Sequence, residues 1–153
     1  MRVRIFWEAK NKNEHLRALE ADYGKRISRF VDWSVEEFRP ARDSRGARGA
    51  LSTAEQKLLA RLEGSYKVFL DAQGREWTSE EFAEWLGQRA LGGTRELAFV
   101  VGGPDGFSAP FREHADLLLS LSRMTFNHDL ARVLMLEQIY RAFTILRGYP
   151  YPR

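Results

Sequence analysis

Residues 119–146 read LSLSRMTFNHDLARVLMLEQIYRAFTIL, and this stretch decides how the rest of the chain is organised. A short apolar strand leads into a polar bend at 122–127, and a long helix follows over 128–146. When residues are projected at about 100° each, the helix carries two apolar sectors, and charged residues lie inside both. A helix that is apolar nearly all round is buried on more than one side. Because a chain of 153 residues has little material to cover both sides, we expect a second copy to supply the cover, as in a homodimer.

The charged residues of this helix are candidates for a site. Glu137 and Arg141 lie in the middle of one apolar face, in the i,i+4 order that favours an ion pair. Charges on an apolar face must be compensated, so the pair either staples a partly buried interface or lines a functional site. Arg132 lies in the other apolar sector. His128 begins the helix, where local hydrogen bonding and catalysis are both open interpretations.

The composition excludes several classes of protein. Hydrophobic residues at 44% and charged residues at 29% fit one globular domain over residues 1–153. The absence of cysteine excludes disulfides and thiolate chemistry, and the three scattered histidines have no metal-ligand spacing, so we expect no metal. No apolar run approaches ~18 residues, and the N-terminal apolar core is too short for a signal peptide. We therefore expect a cytoplasmic protein without a membrane partner.

Five apolar segments alternate with helical patterns, which predicts an α/β domain with a mostly parallel sheet and helices on both faces. The run LAFVV at 97–101 lacks polar alternation and is typical of a central strand covered on both faces. Gly74 is expected to turn the chain after the third strand. The expected strands lie at 3–7, 33–38, 66–70, 97–101 and 117–121, and the expected helices at 13–30, 52–62, 78–91, from about 109, and 128–146.

The segment RPARDSRGARG at 39–49 is the one compositionally biased part of the chain. It has no apolar periodicity, so it could be a solvated connection. Four arginines spaced three apart on a loop also suit a phosphate clamp, and we favour that interpretation because an inert loop seldom needs four arginines. The net charge of +3 agrees with a nucleic-acid partner but is weak evidence by itself.

Ligands of parallel sheets bind beyond the carboxyl ends of the strands. Three loops are expected there: Leu70-Asp71, the glycine pair 102–103, and the bend 122–127. GGPDG lacks the spacing of a dinucleotide fingerprint, so the glycines make either a tight turn or a close approach to a ligand. Neither a hydrolase triad nor a metal centre can be assembled from these residues.

Three motifs carry a resemblance: FVVGGPDGF, LSLSRMTFNHDLARVLMLEQIYRA and the ending RGYPYPR. They closely resemble the ribosomal RNA large subunit methyltransferase H family, a branch of the knotted SPOUT-class methyltransferases, and the resemblance covers the whole chain. It implies a homodimer, S-adenosylmethionine bound in a C-terminal trefoil knot, and N3-methylation of a pseudouridine in helix 69 of 23S rRNA on the assembled ribosome.

The resemblance also implies roles for individual residues. Arg132, Glu137, Tyr140 and Arg141 match the family's charged helix and would lie near the RNA or the opposite subunit. The catalytic residue stays open, with Glu137, Arg132, His128 and Arg141 as candidates. The matching cofactor-binding positions are Leu70, Gly103, Leu121, Ser122, Arg123, Met124, Thr125 and Phe126. Independently of the resemblance, the arginine spacing and the chemistry of the tail give the expected RNA-binding residues, which are Arg42, Arg45, Arg48, Tyr151 and Arg153.

The chain departs from the family at three positions. The family ends in tyrosine, histidine and a basic residue, but here Pro152 follows Tyr151. Asn127 stands where the family has a proline before the helix histidine. The family's glycine after the first strand is absent, and Glu8-Ala9-Lys10 stands there instead. A histidine function in the tail therefore cannot operate here, and we expect the tail to position the acceptor base beside the cofactor loops of its own or the partner chain. The rival hypothesis is a ribosome-binding protein that keeps the fold without catalysis.

Overall fold

The computed structural model describes residues 1–39 and 49–151. Its strands are β1 (Arg2–Glu8), β2 (Asp32–Phe38), β3 (Tyr66–Glu76), β4 (Glu96–Val101) and β5 (Leu117–Ser120). Its helices are α1 (Glu14–Ile27), α2 (Thr53–Arg61), α3 (Ser79–Leu91), α4 (Ala109–Arg112) and α5 (His128–Arg147). Every expected element is present. The observed ends differ from the expected ones by at most three residues, except that β3 continues to Glu76. The arginines at 42, 45 and 48, together with residues 152 and 153, lie outside the described residues.

The five strands form one sheet in the order β2-β1-β4-β3-β5, and every neighbouring pair is parallel. β4 lies in the centre, and residues 97–101 are at most 3% exposed, which confirms the interpretation of LAFVV as a central strand. Because all strands run the same way, their carboxyl ends meet at one edge of the sheet, as expected for a ligand-binding edge.

Helices cover both faces of the sheet, as predicted. One face packs against α1, α3 and α5 in a core that includes Ile27, Leu86 and Leu136. The other face packs against α2 and α4 through Leu58 and Phe111. None of the helices in the described residues has the length and apolarity needed to cross a membrane.

The third strand differs from its expected form. β3 continues to Glu76, and Leu119 of β5 pairs first with Leu70 and then with Arg75, so residues 71–74 bulge out of the ladder. The reason is the absence of a side chain at Gly74, because a Cβ there would lie 2.6 Å from the carbonyl carbon of Leu118. Gly74 therefore lets the strand return to its partner rather than ending it.

The long helix α5 is covered on one side by helices of the same chain. α1 and α3 flank it within the same chain, and Leu136 and Ile139 are fully buried there. The chain's own helices therefore cover this sector, and the expectation that a second copy covers the remaining one stays a prediction. The other sector keeps an open stripe made of Leu130, Leu134 and Ile145, of which Leu130 is 39% and Ile145 40% exposed.

A carboxylate on the α2 side fixes the loop that follows β4. Ser52 and Glu55 form a capping box at the start of α2, with Glu55 Oε1 accepting from the Ser52 amide at 3.0 Å. The same carboxylate accepts a hydrogen bond of 2.8 Å from the Ser108 hydroxyl, and Ser108 caps α4. The start of α2 therefore holds the end of the 102–108 loop in place.

Candidate active site

A cavity of about 440 Å³ opens at the carboxyl edge of the sheet, where β3, β4 and β5 end and α5 begins. This volume lies within the usual range of small-molecule sites, about 300–1,000 Å³. The three loops expected at this edge all contribute to its wall. The lining residues are Leu70, Asp71, Ala72, Gln73, Val101, Gly102, Gly103, Gly106, Phe107, Arg112, Leu119, Ser120, Leu121, Ser122, Met124, Thr125, Phe126, His128 and Ala131.

The structure brings together seven of the eight positions expected to bind a cofactor. These seven are Leu70, Gly103, Leu121, Ser122, Met124, Thr125 and Phe126. Arg123 is the exception, since its side chain is 88% exposed and lies 3.3 Å from Glu76 at the surface. Their common wall is a geometric fact, whereas their role in binding a cofactor stays a prediction.

The wall made by the 122–127 bend presents apolar side chains to the opening. The Ser122 hydroxyl accepts from the Met124 amide at 3.0 Å, and the Asn127 side chain caps α5 by accepting from Asp129 at 2.9 Å. These bonds hold a bend in which Met124 is 75% exposed and Phe126 is 36% exposed. Exposed apolar side chains on an ordered loop beside a cavity are suited to cover an apolar ligand.

The glycine loop makes both a turn and a wall. The Gly106 amide donates to the Gly103 carbonyl at 3.1 Å, so the turn interpretation is correct. Gly102 and Gly103 also line the cavity. A Cβ on Gly103 would overlap the Glu8 carboxylate, which shows that the end of β1 packs directly behind this wall.

An ion pair at the rim was not assigned a role from the sequence. Arg112 Nε lies 2.8 Å from Asp71 Oδ2, and both residues line the cavity. The Asp71 side chain is only 16% exposed. Asp71 was placed in a ligand loop from its position after a strand, but nothing in the local sequence around Arg112 pointed to the pair. A carboxylate of this kind accepts hydrogen bonds from ligand hydroxyl groups.

Of the four catalytic candidates, only His128 lines the cavity. Its side chain is 32% exposed, and Nε2 lies 3.3 Å from Asp129 Oδ1. Glu137 and Arg141 lie two to four turns beyond His128 on α5, which places them at least about 13 Å from it along the helix axis. Arg141 Nη2 donates to Glu137 Oε1 at 2.6 Å, and Gln138 donates to the other carboxylate oxygen at 2.8 Å. The pair is partly buried, with side-chain exposures of 14% and 22%.

Arg132 is buried inside the fold and is 1% exposed. Its guanidinium donates to the carbonyls of Glu8 and Ala9 and lies 5.3 Å from the ring of Trp7. Burial lowers the pKa of Arg132, although Asp129 at 3.6 Å partly offsets the effect. Within the described residues, Arg132 therefore supports the loop after β1 and does not reach the cavity.

The C-terminal tail folds back along α5. After Gly148, the Tyr149 amide donates to the Thr144 carbonyl at 2.9 Å, which reverses the chain. The Tyr151 ring meets Tyr140 edge-on at 4.8 Å and lies 4.7 Å from the Arg141 guanidinium. Burial, followed by a hydrogen bond with the Tyr23 hydroxyl, raises the pKa of Tyr151. No tail residue up to 151 lines the chain's own cavity, so the tail does not lie beside its own cofactor loops.

Within residues 1–39 and 49–151, no three acidic, histidine or cysteine side chains are grouped in a way that could hold a metal ion.

Known proteins resemble this chain in sequence and in fold. A family model described as "Predicted SPOUT methyltransferase" matches residues 1–152. The chain belongs to the SPOUT methyltransferase family. It is therefore a methyltransferase, and the family resemblance seen in its motifs is confirmed.

Individual relatives of this SPOUT methyltransferase match it over nearly its whole length. A protein of Geotalea daltonii named ribosomal RNA large subunit methyltransferase H is 40% identical over 154 residues, covering 99% of each chain. A protein of Geobacter sulfurreducens with the same name is 39% identical over 156 residues, again covering 99% of both. A solved structure of a probable methylase family protein from Haemophilus influenzae matches the fold with a TM-score of 0.55 at 12% identity, covering 99% of this chain and 71% of the other.

Proposed function

We propose that this SPOUT methyltransferase transfers a methyl group from S-adenosylmethionine to N3 of a pseudouridine in helix 69 of 23S rRNA. The substrate is the assembled ribosome in the cytoplasm. The observation that carries the proposal is the single cavity that gathers seven of the eight expected cofactor positions. The name shared by relatives at about 40% identity supports the choice of ribosomal RNA as the acceptor.

The cavity has the chemistry that this cofactor requires. Its volume suits a ligand of that size, and Leu70, Leu121 and Phe126 provide apolar walls for an adenine ring. Asp71 offers carboxylate oxygens to ribose hydroxyls, and the loop at Gly103 presents backbone to the ligand. When bound, S-adenosylmethionine supplies an electrophilic methyl group on a sulfonium.

The residues of the chain contribute mainly position and proton handling. An in-line methyl transfer depends strongly on the alignment of the two reacting atoms, and the three loops are held by internal hydrogen bonds that favour such alignment. The acceptor N3 must lose its proton. We assign the role of general base to His128, which would accept this proton directly or through one water. His128 is the only one of the four candidates that reaches the cavity.

We further propose that the active unit is a homodimer in which α5 of each chain contributes to the interface. The open stripe of Leu130, Leu134 and Ile145 supports this, since the chain's own helices leave it uncovered. Glu137 and Arg141 lie between these residues on the same face. In the dimer they and Tyr151 approach the RNA or the partner's cavity, where Tyr151 positions the acceptor base.

The C-terminal trefoil knot is also part of the proposal and rests on family membership. In this topology, the segment from about 121 to the C-terminus passes through a loop formed by the preceding strands. Knots are very rare among protein folds, so the point needs its own test. An experimental electron-density map that traces an unknotted chain would contradict it.

A second candidate function is a ribosome-binding protein of the same fold that has lost catalysis. The observation that favours it is Pro152 in place of the family histidine. A chain of this kind could still bind the cofactor, so methyl transfer is the measurement that distinguishes the two functions.

Calorimetric titration with S-adenosylmethionine tests the enzyme directly, and we expect one site per chain. Transfer of a radioactive methyl group would then be measured on free 23S rRNA, large subunits and whole ribosomes from a strain that lacks the modification. We expect whole ribosomes to be the best substrate. A folded protein that binds no cofactor and methylates none of the three would leave the ribosome-binding alternative.

A further inference from the structure

A second concave surface lies on the other side of the β1 end from the cavity. This basic cleft has a volume of about 910 Å³ and is lined by four cationic residues, two carboxylates and two small or amide residues. The lining residues are Lys10, Lys12, Arg17 and Arg39, with Glu8 and Glu37, and Ala9 and Asn11.

The four cations of the basic cleft are exposed and lack ion-pair partners within residues 1–39 and 49–151. Several other arginines of the chain pair with carboxylates at 2.6–3.0 Å. Glu8 and Glu37 belong to the same cleft and offset part of the charge. Four cations against two carboxylates leave a net charge of about +2, so the cleft attracts anions.

Buried polar side chains hold the loop that carries Lys10 and Lys12. Arg132 donates to the carbonyl of Ala9 at 3.0 Å, and Ala9 adopts a left-handed conformation with φ +58°. Asn11 is 2% exposed, donates to Glu20 at 3.0 Å and accepts from the Asn13 amide at 3.0 Å. Strain and buried polar bonds at a surface loop are typical of segments ordered for binding.

The basic cleft lies close to the cavity. Glu8 lines the cleft, and its carboxylate occupies the space in which a side chain at Gly103 would lie. Gly103 in turn lines the cavity. The two concave surfaces therefore meet at the contact between Glu8 and Gly103.

We propose that the basic cleft binds backbone phosphates of the RNA next to the nucleotide that enters the cavity. The inference rests on the proposed RNA substrate and adds a binding surface to it. Lys10 and Lys12 come from the loop after β1, Arg17 from α1, and Arg39 from the end of β2, so the cations are spread along a groove. Spread point charges on separate elements suit a continuous polyanion better than one compact anion.

The test replaces three cleft cations in one variant, Lys10→Gln/Lys12→Gln/Arg17→Gln. The matched control is Lys57→Gln/Arg95→Gln, which removes exposed cations on α2 and at the opposite edge of the sheet. Binding to unmodified ribosomes and to protein-free 23S rRNA is measured over a series of salt concentrations. S-adenosylmethionine affinity and thermal unfolding are measured on the same samples.

For the triple variant we expect affinity for both RNA samples to fall by about tenfold or more at low salt. The plot of log affinity against log salt should become less steep, with the magnitude of its slope lower by about 2 to 3. Each lost phosphate contact reduces that magnitude by about 0.7–0.9. Cofactor affinity should stay within twofold of the wild-type value, and the control should match the wild type in every measurement.

Three outcomes would overturn the inference: an unchanged salt slope, an effect equal to that of the control, or an effect on ribosomes that is absent on protein-free rRNA. The last would indicate an acidic protein segment as the partner. Failure of the proposed function is distinguishable, because the wild type would then methylate no substrate. A charge reversal, Lys12→Glu, provides a second variant. At this one exposed position we expect it to lower RNA affinity more than neutralisation to Gln does.

Discussion

The guanidinium of Arg132, on α5, donates a 3.0 Å hydrogen bond to the carbonyl of Ala9, 123 residues earlier in the chain. A second bond reaches the carbonyl of Glu8. The long helix therefore fixes the loop that follows the first strand, and residues of this loop line the basic cleft. One buried cation on α5 thus supports the surface that the further inference uses.

Replacing Arg132 with Met should destabilise the protein. The change leaves the carbonyls of Glu8 and Ala9 without their donors, and an unsatisfied carbonyl shielded from water costs about 1–3 kcal/mol. Urea unfolding monitored by tryptophan fluorescence measures the loss, and Arg95→Met at an exposed position serves as the control. A loss no larger than that of the control would mean that other groups satisfy the two carbonyls.

Replacing Ala9 with Gly should stabilise the protein. Ala9 has φ +58°, a conformation that costs an ordinary residue about 1–2 kcal/mol. The added freedom of glycine in the unfolded chain offsets about 0.4–1 kcal/mol of that gain. We expect a net increase of about 0.5–1 kcal/mol in the free energy of unfolding.

The same substitution at Ala90 has the opposite expected sign and serves as the control. Ala90 is exposed on α3 in ordinary helical backbone, where glycine costs up to about 1 kcal/mol. Equal effects at the two positions would show that the conformation of Ala9 carries no strain.

The open stripe of α5 predicts which substitutions separate a dimer without unfolding it. Leu130→Asp and Ile145→Asp should give folded monomers, because both side chains are about two-fifths exposed in the single chain. Leu136→Asp and Ile139→Asp should instead prevent folding, since both side chains are completely buried. Light scattering after size-exclusion chromatography and circular dichroism distinguish the two results. A Leu130→Asp/Ile145→Asp protein that stays dimeric would place the interface elsewhere.

Removal of the tail should separate catalysis from binding. Deleting residues 149–153 removes Tyr151 from its contact with Tyr140 and Arg141, which lie far from the chain's own cavity. We expect methylation to be abolished while the dimer and cofactor affinity remain.

Pro152→His should change turnover by less than about tenfold, or ~1.4 kcal/mol, because the tail positions a base and moves no proton. A gain of several hundredfold would favour the ribosome-binding alternative.

Stability should fall in acid through a charge network on the α2 side of the sheet. Arg4 Nη2 lies 2.9 Å from Glu36, and Arg4 Nη1 lies 2.7 Å from Glu96. Burial alone would raise the pKa of Glu36, but hydrogen bonds from Arg4 and Arg61 outweigh it and lower that pKa. For Glu96, bonds from Ser65 and Arg4 outweigh burial in the same way and lower the pKa.

A carboxyl whose pKa is lower in the folded state binds fewer protons there than in the unfolded chain. The network therefore contributes its full stability above the ordinary carboxyl pKa of 4.5 and loses it as the pH falls through the folded values. Urea unfolding at pH 7 and at pH 3–4 should show a smaller acid-induced loss for Glu36→Gln/Glu96→Gln than for the wild type. An equal loss would place the acid sensitivity in other groups.

Local patterns predicted the sheet and the edge at which ligands bind. The unbroken run at 97–101 identified the central strand, and the helix starts expected at 52 and 78 lie within one residue of those in the structure. These features depend on periodicity and on hydrogen bonds between near neighbours, which are written in contiguous residues. The bend at 122–127 was found for the same reason.

Several features of the site depended on long-range packing instead. The bulge at 71–74 arises because Gly74 lies against the backbone of Leu118, which no local pattern indicates. The partner of Asp71 proved to be Arg112, 41 residues away. The cations of the basic cleft come from three separate elements, and none of them forms a motif.

By itself the sequence determined the parallel α/β architecture, the family, and the loops that meet at the carboxyl edge of the sheet. Only the tertiary structure decided which sector of α5 is covered, that Arg132 is buried against the loop at Ala9, and that His128 alone of the four candidates reaches the cavity. The physical reason is that periodicity fixes which residues share a face of a helix. What covers that face is fixed by α1 and α3, which are distant in the chain and meet α5 only after folding.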